Sequence, residues 1–111
     1  MAYYLVTAKP AKEKMAELRK RLDSGEVSKM RPFGESLHYS LENARLQEDG
    51  IAIWEEEDYC RPPLAQERAA VLDAYFSRLK VERVDEGDGW ARIGKLPDMF
   101  GTLLKTPGGR P

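Results

Sequence analysis

The side chains with chemical potential sit close together in the middle of the chain. His38 and Cys60 are the only residues of their kind among 111. Glu55-Glu56-Glu57-Asp58-Tyr59 runs directly into Cys60. Histidine is the one side chain whose ordinary pKa lies near neutrality. His38 beside Glu55, Glu57 and Tyr59 on one face of a sheet would be a general acid/base pair. His38 and Tyr39 are therefore the candidate catalytic residues. The bland alternative is a half-exposed strand histidine with an incidental acidic neighbour. Cys60 precedes Arg61 and a predicted helix start, where a thiolate can be stabilised. Pro62 and Pro63 remove two of the N–H groups that would do so, and a small buried apolar residue is the favoured reading. The quartet Glu55–Asp58 carries oxygen ligands for a hard cation. On a strand only two of the four share a face, so no metal is expected. Trp54 and Tyr59 are candidate ligand-binding aromatics, although such residues also fill cores and interfaces. Arg31 lies in Lys29-Met30-Arg31-Pro32-Phe33-Gly34, a connector suited to close over an anionic ligand.

These residues need elements to hold them. Tyr3–Ala8 is rich in β-formers and predicts a strand. Pro10 suits the first turn of a helix whose stripe is Ala11, Met15, Leu18 and Leu22, with Ser24-Gly25 as its stop. Leu37, Tyr39 and Leu41 alternate with polar residues and predict a second strand. Asp49-Gly50 predicts a two-residue hairpin turn, which sets Leu46 opposite Ile53 and Arg45 opposite Trp54. The returning strand runs from Ile51 to Tyr59. Leu64, Val71, Leu72, Tyr75, Phe76 and Leu79 trace the stripe of a second helix. Lys80–Val84 follows as the fourth strand. Glu86-Gly87-Asp88-Gly89 turns into a short fifth strand from Trp90 to Leu96. Met99, Phe100, Leu103 and Leu104 suit one helical turn. The sequence thus reads as one domain over 1–96 and a partly disordered C-terminal tail over 97–111.

The predicted class is α+β. Its form is a ferredoxin-like βαββαβ domain with a four-stranded antiparallel sheet, two helices on one face and an extra C-terminal β-hairpin arm. In the assumed register both sheet faces carry apolar residues, and two helices cover only one. A large bare apolar patch is rare on a monomer, so the expected partner is a second copy packed sheet against sheet, or a higher oligomer. The order of elements, the small size and the two-sided strands over residues 2–84 resemble the dimeric α/β-barrel superfamily of ferredoxin-like proteins. That resemblance implies a site between sheet and helices or near the dimer contact. The expectation is a small homodimeric protein that binds a small organic ligand, with cofactor-free oxygenase or isomerase chemistry as an option and no cofactor. The alternative is a non-enzymatic oligomerisation or protein-interaction module. Fold alone does not decide between them.

Charge and composition exclude other classes. Residues 1–33 carry a net +4, residues 34–60 a net −7 and residues 61–111 a net +2. The acidic central hairpin argues against RNA or DNA as a partner, because a nucleic-acid surface needs a basic excess. No apolar run reaches membrane-spanning length and no secretory leader is evident, so a cytoplasmic, membrane-free protein is expected. Walker, G-x-S-x-G and H-E-x-x-H motifs are absent. A Cys60–His38 pair is disfavoured because Tyr39, not His38, faces Cys60 in the assumed register.

Overall fold

The computed structural model describes residues 2–104. Its centre is a four-stranded antiparallel sheet of order β2-β3-β1-β4, formed by β1 (Ala2–Pro10), β2 (Arg45–Leu46), β3 (Ala52–Asp58) and β4 (Phe76–Val84). β3 lies antiparallel between β1 and β2. β1 and β2 therefore run the same way, with the crossover between them made by helices. The class is α+β, and the order is compatible with a ferredoxin-like topology.

The first helix follows its stripe. After a 3₁₀ turn at Lys12–Lys14, α1 (Met15–Asp23) buries Met15, Leu18 and Leu22. The segment predicted as the second strand is instead α2 (Gly34–Glu42). Its apolar contacts come from Phe33, Leu37, Leu41 and Ala44, spaced by four, four and three, which is a helical stripe. The alternation around Tyr39 was incidental, since Tyr39 is 60% exposed. Gly34 opens this helix because the Val27 and Ser28 carbonyls occupy the place of a Cβ.

The hairpin turn also differs in a way that moves side chains. Gly50 adopts φ +86, and its N–H bonds to the Gln47 carbonyl while the Gln47 N–H bonds to the Ile51 carbonyl. The loop thus has three residues, with Gly in the left-handed position. The register becomes Leu46 opposite Ala52 and Arg45 opposite Ile53. A one-residue slip exchanges the faces, and Leu46 joins the core beside Ala52 and Trp54.

The helix α3 spans residues 65–75. It is α-helical over Ala65–Glu67, π-helical over Arg68–Leu72 and α-helical again over Asp73–Tyr75. Leu64, Val71, Leu72 and Tyr75 are buried as their spacing predicts. Phe76 turns extended and opens β4 with no intervening loop, so Phe76 and Leu79 belong to the strand. Phe76 packs on Trp54 with ring centroids 5.2 Å apart. β4 is an edge strand, and its exposed Arg78, Lys80, Glu82 and Arg83 discourage pairing with another chain.

The main core lies between helices and the sheet face bearing Val6, Ala8, Ala52 and Trp54. The predicted fifth strand is α4 (Asp88–Ile93). Trp90, Ile93 and Leu96 recur every three residues and pack against Leu5 and Ile53 on the opposite sheet face. No C-terminal hairpin occurs among the described residues. The need for a second copy over that face is correspondingly reduced, because the chain's own C-terminal segment covers part of it. α5 (Met99–Leu103) buries Met99 and Phe100. Leu46 N–H bonds to the Pro97 carbonyl and Met99 N–H to the Ala44 carbonyl, both at 2.9 Å. Residues 97–104 are thus part of the domain; the rest of the expected tail lies outside the described residues. No helix among the described residues is long and apolar enough to cross a membrane.

Candidate functional site

β3 distributes its acids to both faces. The pairing of Leu5 with Glu55 and Tyr3 with Glu57, against Tyr4 with Glu56 and Ala2 with Asp58, places Glu55 and Glu57 on one face and Glu56 and Asp58 on the other. Two sites result.

The first is a groove of about 450 Å³ between β1, β3, α2 and the turn into α4. Tyr3, Tyr39 and Trp90 supply its aromatic surface, and Glu35, Glu55, Glu57 and Glu86 its charge. Tyr39 and Trp90 meet edge to face at 6.0 Å. Among the described residues no lysine, arginine or histidine lines it. Glu55 is the fixed part. Its carboxylate accepts N–H groups from Gly87 at 2.9 Å, Gly89 at 2.7 Å and Trp90 at 3.3 Å, which pins the turn that carries Trp90. Gly89 is required there, since a Cβ would lie 2.9 Å from Glu55 Oε1. On β3, Ser40 Oγ donates to the Glu55 carbonyl at 2.7 Å, which fixes α2 along an edge that two-residue β2 leaves open. The Tyr3 hydroxyl is held above the ordinary tyrosine value, first by partial burial and then by the charges of Glu57 and Glu86.

The second site is a buried acidic cluster under α3. Asp58 Oδ2 accepts N–H groups from Leu64 at 2.6 Å and Cys60 at 3.1 Å. These bonds hold the turn in which Leu64 adopts φ 65, a conformation that costs a non-glycine residue about 1–2 kcal/mol. Burial alone would raise the Asp58 carboxyl, but the Leu64 N–H, a hydrogen bond from Glu67 and the Cys60 N–H hold it below its usual value. Glu67 is fully buried, and burial together with its contact to Asp58 pushes it up to about 7. Glu56, also buried, accepts from Trp54 Nε1 at 2.9 Å. Burial first, then the charge of Glu67, raises it well above a normal carboxyl. Cys60 Sγ lies 3.8 Å from Glu67 Oε1. Its thiol is raised, by burial first, so it is not an activated nucleophile.

The residues singled out from the sequence separate. Tyr39 lines the groove. His38 lies on α2 and meets Glu42 at 3.4 Å, beside the Arg19–Glu42 ion pair. The predicted pairing of His38 with Glu55 or Glu57 is not formed, because on a helix His38 and Tyr39 point about 100° apart. Trp54 is fully buried in the core and is not part of the groove lined by Tyr39 and Trp90. Tyr59 is 69% exposed, with its hydroxyl on Glu57 at 3.0 Å. Arg31 is exposed on the connector before α2. Sequence reading missed Glu67, Glu35, Glu86 and Tyr3. Glu67 had a signal: it stands three residues after Leu64 and four before Val71, on the apolar stripe itself. Comparison with protein-family models, curated proteins and solved structures found no match.

Proposed function

We propose that this chain is a ferredoxin-like α+β domain that binds a small organic cation in the groove between β3, α2 and α4. The split arrangement, with β3 inserted between parallel β1 and β2, supports the fold assignment. The observation that carries the ligand class is the lining: three aromatic rings and four glutamates with no basic side chain among them. Aromatic faces attract alkylammonium groups, and carboxylates add directional charge pairing. A volume of about 450 Å³ suits a ligand of small-metabolite size. An anion would meet the carboxylates of Glu35, Glu57 and Glu86, which reverses the expectation that Arg31 closes over an anionic ligand. The groove supports binding rather than turnover, because His38 is turned away from it.

Choline and benzoate, followed by NMR on the folded protein, test this reading. Choline is expected to saturate with shifts at Trp90 and Tyr39, and benzoate to leave both unmoved. Trp90→Ala with Tyr39→Ala should weaken choline at least about tenfold. Absence of saturable choline binding, or binding indifferent to both substitutions, overturns it.

A further inference from the structure

Three acids, Glu56, Asp58 and Glu67, are packed into the interior on one side of β3. None of the ion pairs among the described residues reaches any of them. Glu67 Oε2 and Glu56 Oε2 are buried, and no donor group among the described residues reaches either. Glu67 instead faces Asp58, another carboxyl, and such a contact is favourable only with a proton or a cation between the two. Burying several carboxylates without a compensating positive charge is among the costliest arrangements a protein can make.

The neighbouring thiol narrows the choice. Single ligand atoms of Asp58, Cys60 and Glu67 all lie within 4.8 Å of one another. The Cys60–Glu67 separation of 3.8 Å is near the ~3.6 Å between two ligands on a tetrahedral zinc ion. Asp58 Oδ2 is held in place by the Leu64 and Cys60 N–H groups, which fixes the carboxylate beside the other two ligands. A small, largely enclosed space of about 40 Å³ is lined by these three residues together with Phe33, Ser36 and Glu57 among others, enough for one ion or water. A wider groove of about 460 Å³ reaches Asp58 and Cys60 from the outside, past Tyr4, Arg61 and Arg83.

We propose that Asp58, Cys60 and Glu67 bind one zinc-class divalent transition-metal ion, with a fourth position open toward the enclosed space. A thiolate with two carboxylates favours zinc or cobalt(II) over calcium and magnesium, which use oxygen alone. Its three ligands do not line the cation groove, although the space beside them shares Ser36 and Glu57 with that groove.

Cobalt(II) and zinc added to the purified full chain test the proposal. One cobalt(II) per chain should bind with a thiolate-to-metal charge-transfer band, and calcium should not compete. Cys60→Ser should abolish the band, and Glu67→Gln should weaken zinc at least about tenfold. Glutamine reproduces the shape of a protonated glutamate, so the second variant is expected to fold; if circular dichroism shows otherwise, Cys60→Ser alone decides. Tyr39→Ala should leave metal uptake unchanged. A native chain that takes up cobalt(II) without the band, or takes up none, overturns the proposal. So does zinc uptake that is equal in the native chain and Cys60→Ser.

Discussion

Glu55 and Glu67 are 4% and 0% exposed, yet the protein keeps them buried by different means. Glu55 receives three backbone N–H groups from the turn at residues 87–90. Its charge is met by dipoles that the chain had to place somewhere in any case. Glu67 has no such turn above it. It faces Asp58, whose own donors come from Leu64 and Cys60, and one of its oxygens meets no donor among the described residues. The difference shows that burial of a carboxylate is settled by donor supply and not by depth. Where the backbone supplies the donors, the acid becomes a structural anchor. Where it does not, the acid must take up a proton or a cation, and such a site responds to solution conditions.

The largest effect should come from the anchor. Glu55→Ala leaves the N–H groups of Gly87, Gly89 and Trp90 unpaired, and should cost about 3 kcal/mol in urea denaturation. Amide exchange over residues 85–96 should accelerate with it. Unchanged exchange there would mean that Ile93 and Trp90 packing holds α4 without the carboxylate.

The unsupplied acids should give a pH dependence of opposite kind. In metal-free protein Glu67 binds its proton more tightly when folded, at about 7 against an ordinary 4.5, and Glu56 is raised likewise. The native state then holds more protons than the unfolded one across that interval, so stability falls as pH rises through it. Asp58, held below its usual value, contributes the reverse slope only in stronger acid. Glu67→Gln should flatten the fall between about 4.5 and 7. An equally steep fall in that variant would assign the slope elsewhere.

A surface carboxylate completes the series. Glu42→Gln removes the negative charge behind the 2.7 Å contact to Arg19 and the 3.4 Å contact to His38. With Glu42 substantially exposed, the loss should stay below about 1 kcal/mol. A larger loss in thermal unfolding would place this pair with the interior acids.

Much of the scaffold was legible locally. The stripe Met15-Leu18-Leu22 and the β-formers of β1 are short-range patterns that became the elements they predict, and the stripe from Leu64 did so as far as Tyr75, while Phe76 and Leu79 went to β4. The misses are equally specific. Leu37, Tyr39 and Leu41 suggested a period of two, but the longer window from Phe33 to Ala44 carried the helical one. Trp90-Ile93-Leu96 was read as a strand although its spacing is three. At Asp49-Gly50 the glycine marked the turn correctly, and one added loop residue moved Leu46 to the other face. The candidate site was less legible. Of the residues named from sequence, Tyr39 reached the groove, while His38 and Trp54 went to a helix surface and the core.

By itself the sequence determined that four acids on one strand must divide between two faces, because successive side chains of a strand alternate. It also determined that Glu67 would point inward, because its place on the Leu64–Val71 stripe follows from helical spacing. Only the tertiary structure decided what each acid would meet. The turn at 87–90 closes over Glu55 and α3 brings Glu67 to Asp58 and Cys60. Periodicity acts over a few residues, whereas those meetings depend on sheet register and helix placement across 32 residues of chain in one case and nine in the other.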